Sequence, residues 1–143
     1  MPELKHPVAG RCDSGPGRIE MLVGRWLLAA LFFAGGAQKL YDPSAAIELL
    51  DRFALPAFLV WPAAAYNLIA ALLLASGIQI IAVARSLAAY CIVTSAFHFI
   101  PSDGWQMSIF VKNWAIAGGL LALSAGEGGA AELRSSGRTA RHP

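Results

Sequence analysis

FALPAFLVWPAAAYNLIAALLLASGIQIIAVA, residues 53–84, contains no Asp, Glu, Lys or Arg. A helix that crosses the hydrocarbon core of a bilayer needs about 20 predominantly apolar residues. The stretch is too long for one span and too short for two separated by a solvated loop. It fits one complete helix, a tight turn near Gly77 and the start of the next helix. Two further runs, 86–102 and 113–126, are also free of these charges.

Composition agrees with that reading. Hydrophobic residues make up 57% of the 143-residue chain and charged residues 14%, against about 25% charged in an ordinary globular domain. Mean hydropathy is +0.56. A soluble protein of this size could not hide so much apolar surface, whereas lipid solvates it without penalty. The net charge is +2, with basic residues mostly near the termini. That pattern argues against nucleic acid and for flanks lying beside anionic headgroups. Cys12 and Cys91 show no CxxC or metal-ligand spacing, so neither a disulfide framework nor a metal is expected.

Working outward, the expected architecture is an all-α, polytopic membrane protein: a four-helix transmembrane bundle with a short interfacial helix between spans one and two. Residues 1–18 read as a polar, poorly ordered tail, 19–125 as the membrane domain and 126–143 as an unstructured polar tail. The spans are placed at about 19–40, 55–77, 82–100 and 105–124. The N-terminal segment lacks the apolar core of a cleaved signal, so the first span is read as retained. Residues 43–53 (PSAAIELLDRF) are too short and polar to span. They suit an amphipathic helix in the interface, with Ile47, Leu50 and Phe53 on one face. Gly35-Gly36, Ala63 to Ala65, Ala70-Ala71, Ala88-Ala89 and Gly118-Gly119 are small enough for close helix contact.

Four spans put both termini on one side. That side carries Lys5, Arg11, Arg18, Arg25, Arg85, Arg134, Arg138 and Arg141, against Lys39, Arg52 and Lys112 on the other. The positive-inside rule then places the termini in the cytoplasm, for an inner-membrane, multi-pass protein.

Polar groups inside spans need a reason, because a central charge costs about 2.5–3.5 kcal/mol on insertion scales. Spans one and three run outward and end with Lys39 and His98. Spans two and four run inward and carry Asn67, Lys112 and Asn113 two to three turns deep. Lys39, Asn67, His98, Lys112 and Asn113 thus share the outer half of the bundle and form the candidate ligand-binding cluster; depth alone does not say that they face one another. The bland readings are snorkelling for Lys39, interfacial placement for His98 and interhelical bonding for Asn67 and Asn113. Arg25 and Arg85 read as topology or structural anchors, and Tyr90 and Cys91 as packing. No phosphate loop, nucleophile triad or haem motif occurs. A haem held by two histidines in the bilayer is excluded, since His6 and His142 lie in the tails.

Gly24-Arg25, then Gly36-Ala37-Gln38-Lys39-Leu40 and Asp42-Pro43, resemble the opening pattern of the DoxX family. Arg85-Ser86-Leu87-Ala88-Ala89 resembles the family's start of span three, and His98 falls where the family often has His. Phe110-Val111-Lys112-Asn113 followed by Gly118-Gly119 resembles its span-four motif. The resemblance covers about residues 22–125. It departs at Asn67, where the family commonly carries Glu, which removes the obvious carboxylate partner for Lys112 or Lys39. The resemblance implies a four-helix membrane bundle and a link to membrane redox chemistry, with quinone as the ligand it suggests. Two readings stand open: a redox-associated, quinone-linked membrane protein, and a non-catalytic accessory or scaffold subunit packed against a larger membrane complex such as an oxidoreductase.

Overall fold

The computed structural model describes residues 16–139. Its elements are α1 (Pro16–Tyr41), α2 (Ser44–Arg52), a 3-10 turn (Ala57–Leu59) leading into α3 (Val60–Ser76), α4 (Ile80–Ser95) with a 3-10 extension (Ala96–His98), and α5 (Gly104–Thr139). Four helical stretches are long and apolar enough to cross a membrane: Gly17–Tyr41, Ala57–Ser76, Ile80–His98 and Gly104–Gly129. The chain is a multi-pass α-helical membrane protein with a short helix between spans one and two.

Local chemistry sets the boundaries. Asp42 Oδ1 accepts hydrogen bonds from the Ser44 amide (3.1 Å) and hydroxyl (2.6 Å), which opens α2. Gly77, at φ 78°, ends α3 in the left-handed region that favours glycine. Its N–H bonds to the Leu74 carbonyl and that of Ile78 to Leu73, the pattern of a Schellman motif. Asp103 Oδ1 accepts from the amides of Trp105 (2.9 Å) and Gln106 (3.2 Å) and so caps α5.

The bundle is built from two antiparallel pairs, α1 along α3 and α4 along α5, which approach each other closely in few places. Gly36 makes the first pair tight: a Cβ there would lie 2.8 Å from Leu68 Cγ and 3.2 Å from the Ala64 carbonyl oxygen. Between the pairs, Phe32, Leu74, Leu87 and Leu120 belong to one buried core. Polar ties join neighbouring helices: Tyr66 Oη donates to Ser86 Oγ at 2.9 Å, and Arg85 Nε to Ser124 Oγ at 3.0 Å. Leu22, Trp26, Leu72, Val93, Trp114 and Leu121 stay exposed on the outside, a surface that suits lipid.

Met21 lies against Gly126, and the Arg25 guanidinium lies beside Gly77. The start of α1, the α3–α4 turn and the later part of α5 therefore share one end of the bundle. The end of α1, α2, and the α4–α5 turn share the other, called below the α2 end.

Three expectations differ from this structure. Residues 126–139 form helix rather than an unstructured tail. Gly126 is a packing position rather than a break, because the missing side chain makes room for Met21, whose Cε would lie 2.9 Å from a Cβ. At 1.5 Å per residue the 36-residue α5 reaches roughly 54 Å, well beyond a hydrocarbon core of about 30 Å. Gly118 and Gly119 make no close helix contact: both are exposed, and a Cβ on either would meet nothing within 4 Å. On α2, Leu50 borders the interior cavity together with Ala46 and Leu49, and the following Phe53 packs edge-on against Phe97 at 5.0 Å, in keeping with a shared inward face for Leu50 and Phe53. Of the expected N-terminal tail, residues 16–18 belong to α1. Residues 1–15, with Cys12, and 140–143, with His142, lie outside the described residues.

Candidate functional site

The α2 end encloses a cavity of about 650 Å³ between the two helix pairs. Every span contributes through helical spacing. Gly35, Gln38 and Lys39 come from α1, Ala63 and Asn67 from α3. Tyr90, Thr94 and His98 follow one another at intervals of four on α4, and Ile109, Lys112, Asn113 and Ile116 line one stripe of α5. Leu49 and Leu50 of α2 close the side, and Leu31, Phe32, Val60 and Phe97 add apolar wall. Lys39, Asn67, His98, Lys112 and Asn113 all border this one space, and among the described residues no Asp or Glu does.

Their surroundings differ. Lys39 folds back along α1, and its Nζ donates to the Gly35 carbonyl at 3.1 Å. Asn67 is 3% exposed. Its amide nitrogen faces α1, 3.8 Å from the Cβ position at Gly35, and Lys39 Nζ lies 3.9 Å from the same point. The Tyr90 hydroxyl interacts with the Asn67 side chain, yet Asn67 Oδ1 is buried with no hydrogen-bond partner. Most buried polar atoms are paired, which makes this oxygen an exception in the packing between α1, α3 and α4.

His98 Nδ1 sits 2.6 Å from Gln106 Oε1. The amide oxygen only accepts, so in this contact Nδ1 is the donor. Gln106 is itself held by Asp103 through its backbone amide. Lys112 is exposed at the cavity rim, and its Nζ lies 5.5 Å from the Trp105 ring centroid, a cation–π contact directed toward the start of α5. Phe110 meets Phe99 (5.3 Å) and Trp114 (6.2 Å) in tilted ring contacts beside it.

Arg25 and Arg85 lie away from the cavity. Arg25 sits at the C-terminal end of α3, where free carbonyls and the helix dipole favour a cation. Arg85 holds the buried Ser124 and borders a shallow cleft with Glu127. Among the described residues no three His, Cys, Asp or Glu side chains gather as a metal-ligand set.

Gln38, Tyr90, Cys91 and Thr94 also border the cavity; Cys91 is part of the buried core and Tyr90 packs against it, in keeping with the packing role expected of both. The interval of four from Tyr90 through Thr94 to His98 is the signal that identifies two of them. Gln106 emerges only from its contact with His98.

Fold and cavity together define a polytopic helical membrane protein with a mainly apolar chamber, bordered by a few polar side chains, inside its bundle. The family model described as DoxX matches residues 20–99. The chain belongs to the DoxX family. The match takes in Lys39, Asn67 and His98 and ends before Lys112 and Asn113. No curated protein and no solved structure is similar enough to match.

Proposed function

We propose that this is an inner-membrane DoxX protein, with cytoplasmic termini, that binds a lipid-soluble redox ligand of the quinone class in the cavity at the α2 end. The carrying observation is the cavity itself: polar side chains from all four spans converge on an otherwise apolar chamber, the usual form of a small-molecule site. Its size suits a ring-sized head group, ligand pockets running from about 300 to 1,000 Å³.

The residues fit such a head group. Lys39 Nζ and the Asn113 amide can donate to ring oxygens, while His98 Nε2 accepts or, once protonated, donates. Leu31, Leu49, Leu50 and Phe97 exclude water and offer an apolar path for an isoprenoid tail. A quinone would supply two-electron, two-proton redox capacity; the protein's part is to orient the ring oxygens and hold protons beside them. The orientation follows from the basic residues Arg18, Arg25 and Arg85 at the terminus-bearing end.

The test is purification from the native membrane in mild detergent, with mass spectrometry of co-eluting proteins and lipids. A bound quinone, lost in Lys39→Met and weakened in Lys112→Met, is the expected result. Unchanged quinone retention in both variants would sink the site assignment. A second reading, a non-catalytic accessory subunit, draws support from the open small-residue surface at Gly118 and Gly119, where another helix could pack closely. A stoichiometric protein partner without quinone is the outcome that favours it.

A further inference from the structure

Two nitrogen donors face one gap on the cavity wall. A Cβ built on Gly35 would lie 3.8 Å from the Asn67 amide nitrogen and 3.9 Å from Lys39 Nζ. Gly35, Lys39 and Asn67 all border the chamber, so the missing side chain leaves a seat between a neutral donor and a cationic one. An ammonium has three N–H groups. That of Lys39 gives one to the Gly35 carbonyl at 3.1 Å, which leaves two for a ligand.

The charge around this seat is unbalanced. Lys112 is a second cation on the cavity and His98 adds a third when protonated, while among the described residues no Asp or Glu borders it. The nearby acids are engaged elsewhere: Asp42 accepts from Ser44, Glu48 pairs with Arg52, and Asp103 caps α5. Asp51 is exposed on α2. Charged groups within spans are costly and are usually paired, and here the cavity is the open space in which a counter-charge would sit.

We propose that the cavity takes its ligand as an anion, a lipid-soluble acid whose ionised oxygen lies over Gly35 between Lys39 Nζ and the Asn67 amide nitrogen. This rests on the quinone-class reading of the cavity and adds to it the charge of the head group. The matching member of that class is a hydroxylated quinone, a vinylogous carboxylic acid that is ionised at neutral pH. Its oxyanion accepts from both nitrogens and balances the ammonium. A neutral quinone carbonyl accepts from the same donors but brings no charge. Hydrogen bonds to an ionised group are roughly twice as strong as neutral ones, so the acid is expected to bind about tenfold or more tightly than a neutral ring of the same shape.

The experiment uses the full chain in nanodiscs of zwitterionic lipid, which offers no competing anionic headgroup. Calorimetry at neutral pH, corrected for partition into empty nanodiscs, compares two pairs of probes. One pair is a hydroxynaphthoquinone and its methyl ether; the other is decanesulfonate and decanol. The hydroxynaphthoquinone is expected to bind about tenfold or more tightly than its ether. Lys39→Met is expected to remove that advantage and Lys39→Arg, which keeps the charge, to retain it. Lys112→Met should reduce it less, because the Lys112 ammonium lies out at the rim against Trp105. Gly35→Ala, whose added Cβ makes only ordinary contacts, fills the seat and should lower affinity for the acid.

Equal affinity within both pairs overturns the preference for an anion while leaving the quinone-class site standing. An advantage that survives in both Lys39→Met and Gly35→Ala overturns the assignment to this seat. Binding of decanesulfonate over decanol with no binding of either quinone sinks the quinone-class reading and upholds the anion site. Failure of all four probes to bind sinks both. The comparison of probes on the unaltered chain stands even if Lys39→Met does not fold.

Discussion

Gly36→Ala is expected to loosen the α1–α3 pair and, through it, the cavity. The added Cβ would lie 2.8 Å from Leu68 Cγ, 2.9 Å from Leu68 Cδ2 and 3.2 Å from the Ala64 carbonyl oxygen. Carbon atoms rest at about 3.5–4.0 Å, so roughly 0.7–1.2 Å of overlap must be relieved. Leu68 can turn away in part, but the Ala64 carbonyl is backbone and cannot, so the helices must separate. A gap of about 0.5–1 Å forfeits a quarter to a half of the dispersion well of each contact across it. Overpacking of this kind costs about 1–3 kcal/mol. Against it stands a gain of up to about 1 kcal/mol in helix propensity when alanine replaces glycine. The net expectation is a loss of about 1–2 kcal/mol.

Gly119→Ala is the internal control, since a Cβ there meets nothing within 4 Å. It should be neutral or slightly stabilising. The assay is reversible unfolding in mixed micelles or bicelles, followed by the change in helical and Trp signals. Because Gly35 and Lys39 lie within one turn of Gly36, ligand affinity should fall in Gly36→Ala and stay unchanged in Gly119→Ala. Equal stability of the two variants would refute the close approach of α1 and α3 on which the cavity wall depends.

Three further outcomes follow from particular contacts. Gly77→Ala forces a side chain into φ 78° and 3.2 Å from Arg25 Nη1, and should destabilise by about 1–2 kcal/mol in the same unfolding assay; an unchanged midpoint would contradict the Schellman ending of α3. Arg85→Met and Ser124→Ala, combined in a double-mutant cycle, should show a coupling of about 0.5–2 kcal/mol from their 3.0 Å hydrogen bond, and additivity would refute it. The hydrogen bonds from the Ser44 hydroxyl and amide hold the Asp42 carboxyl below its ordinary value. A depressed folded value means that their support for α2 is present above the ordinary carboxylate range and is lost as pH falls through the lowered value. Carboxyl NMR titration should find the Asp42 transition shifted upward in Ser44→Ala, and no shift would refute the capping role.

The five polar residues show why a site is harder to read than a fold. Their depth was legible, because alternating spans and a fixed rise per residue place Lys39, Asn67, His98, Lys112 and Asn113 in the same half of the bundle. Their facing was not, because helix rotation is set by how neighbouring surfaces interlock. Lys112 lies within an apolar stretch of span four, yet its side chain reaches the Trp105 ring at the rim, while Lys39, near a span end, is folded back along α1 with its Nζ near the Asn67 side chain. Asp103, the nearest acid to Lys112 in sequence, is occupied in capping α5.

The sequence by itself determined the class of protein, the number of spans, the turn at Gly77 and the short helix after Asp42-Pro43. These are local or compositional matters: an apolar stretch of sufficient length must satisfy its backbone within a helix in lipid, and turn residues act within a few positions of themselves. Tertiary structure decided everything that depends on which surfaces meet. It made Gly36 a tight crossing and left Gly118 and Gly119 open, although all three read alike as small residues in spans. It carried α5 through a glycine-rich stretch, because Met21 packs into the space at Gly126. It also buried the Asn67 oxygen without a hydrogen-bond partner, since an unpaired buried atom is defined by its neighbours in space and leaves no mark in the order of residues.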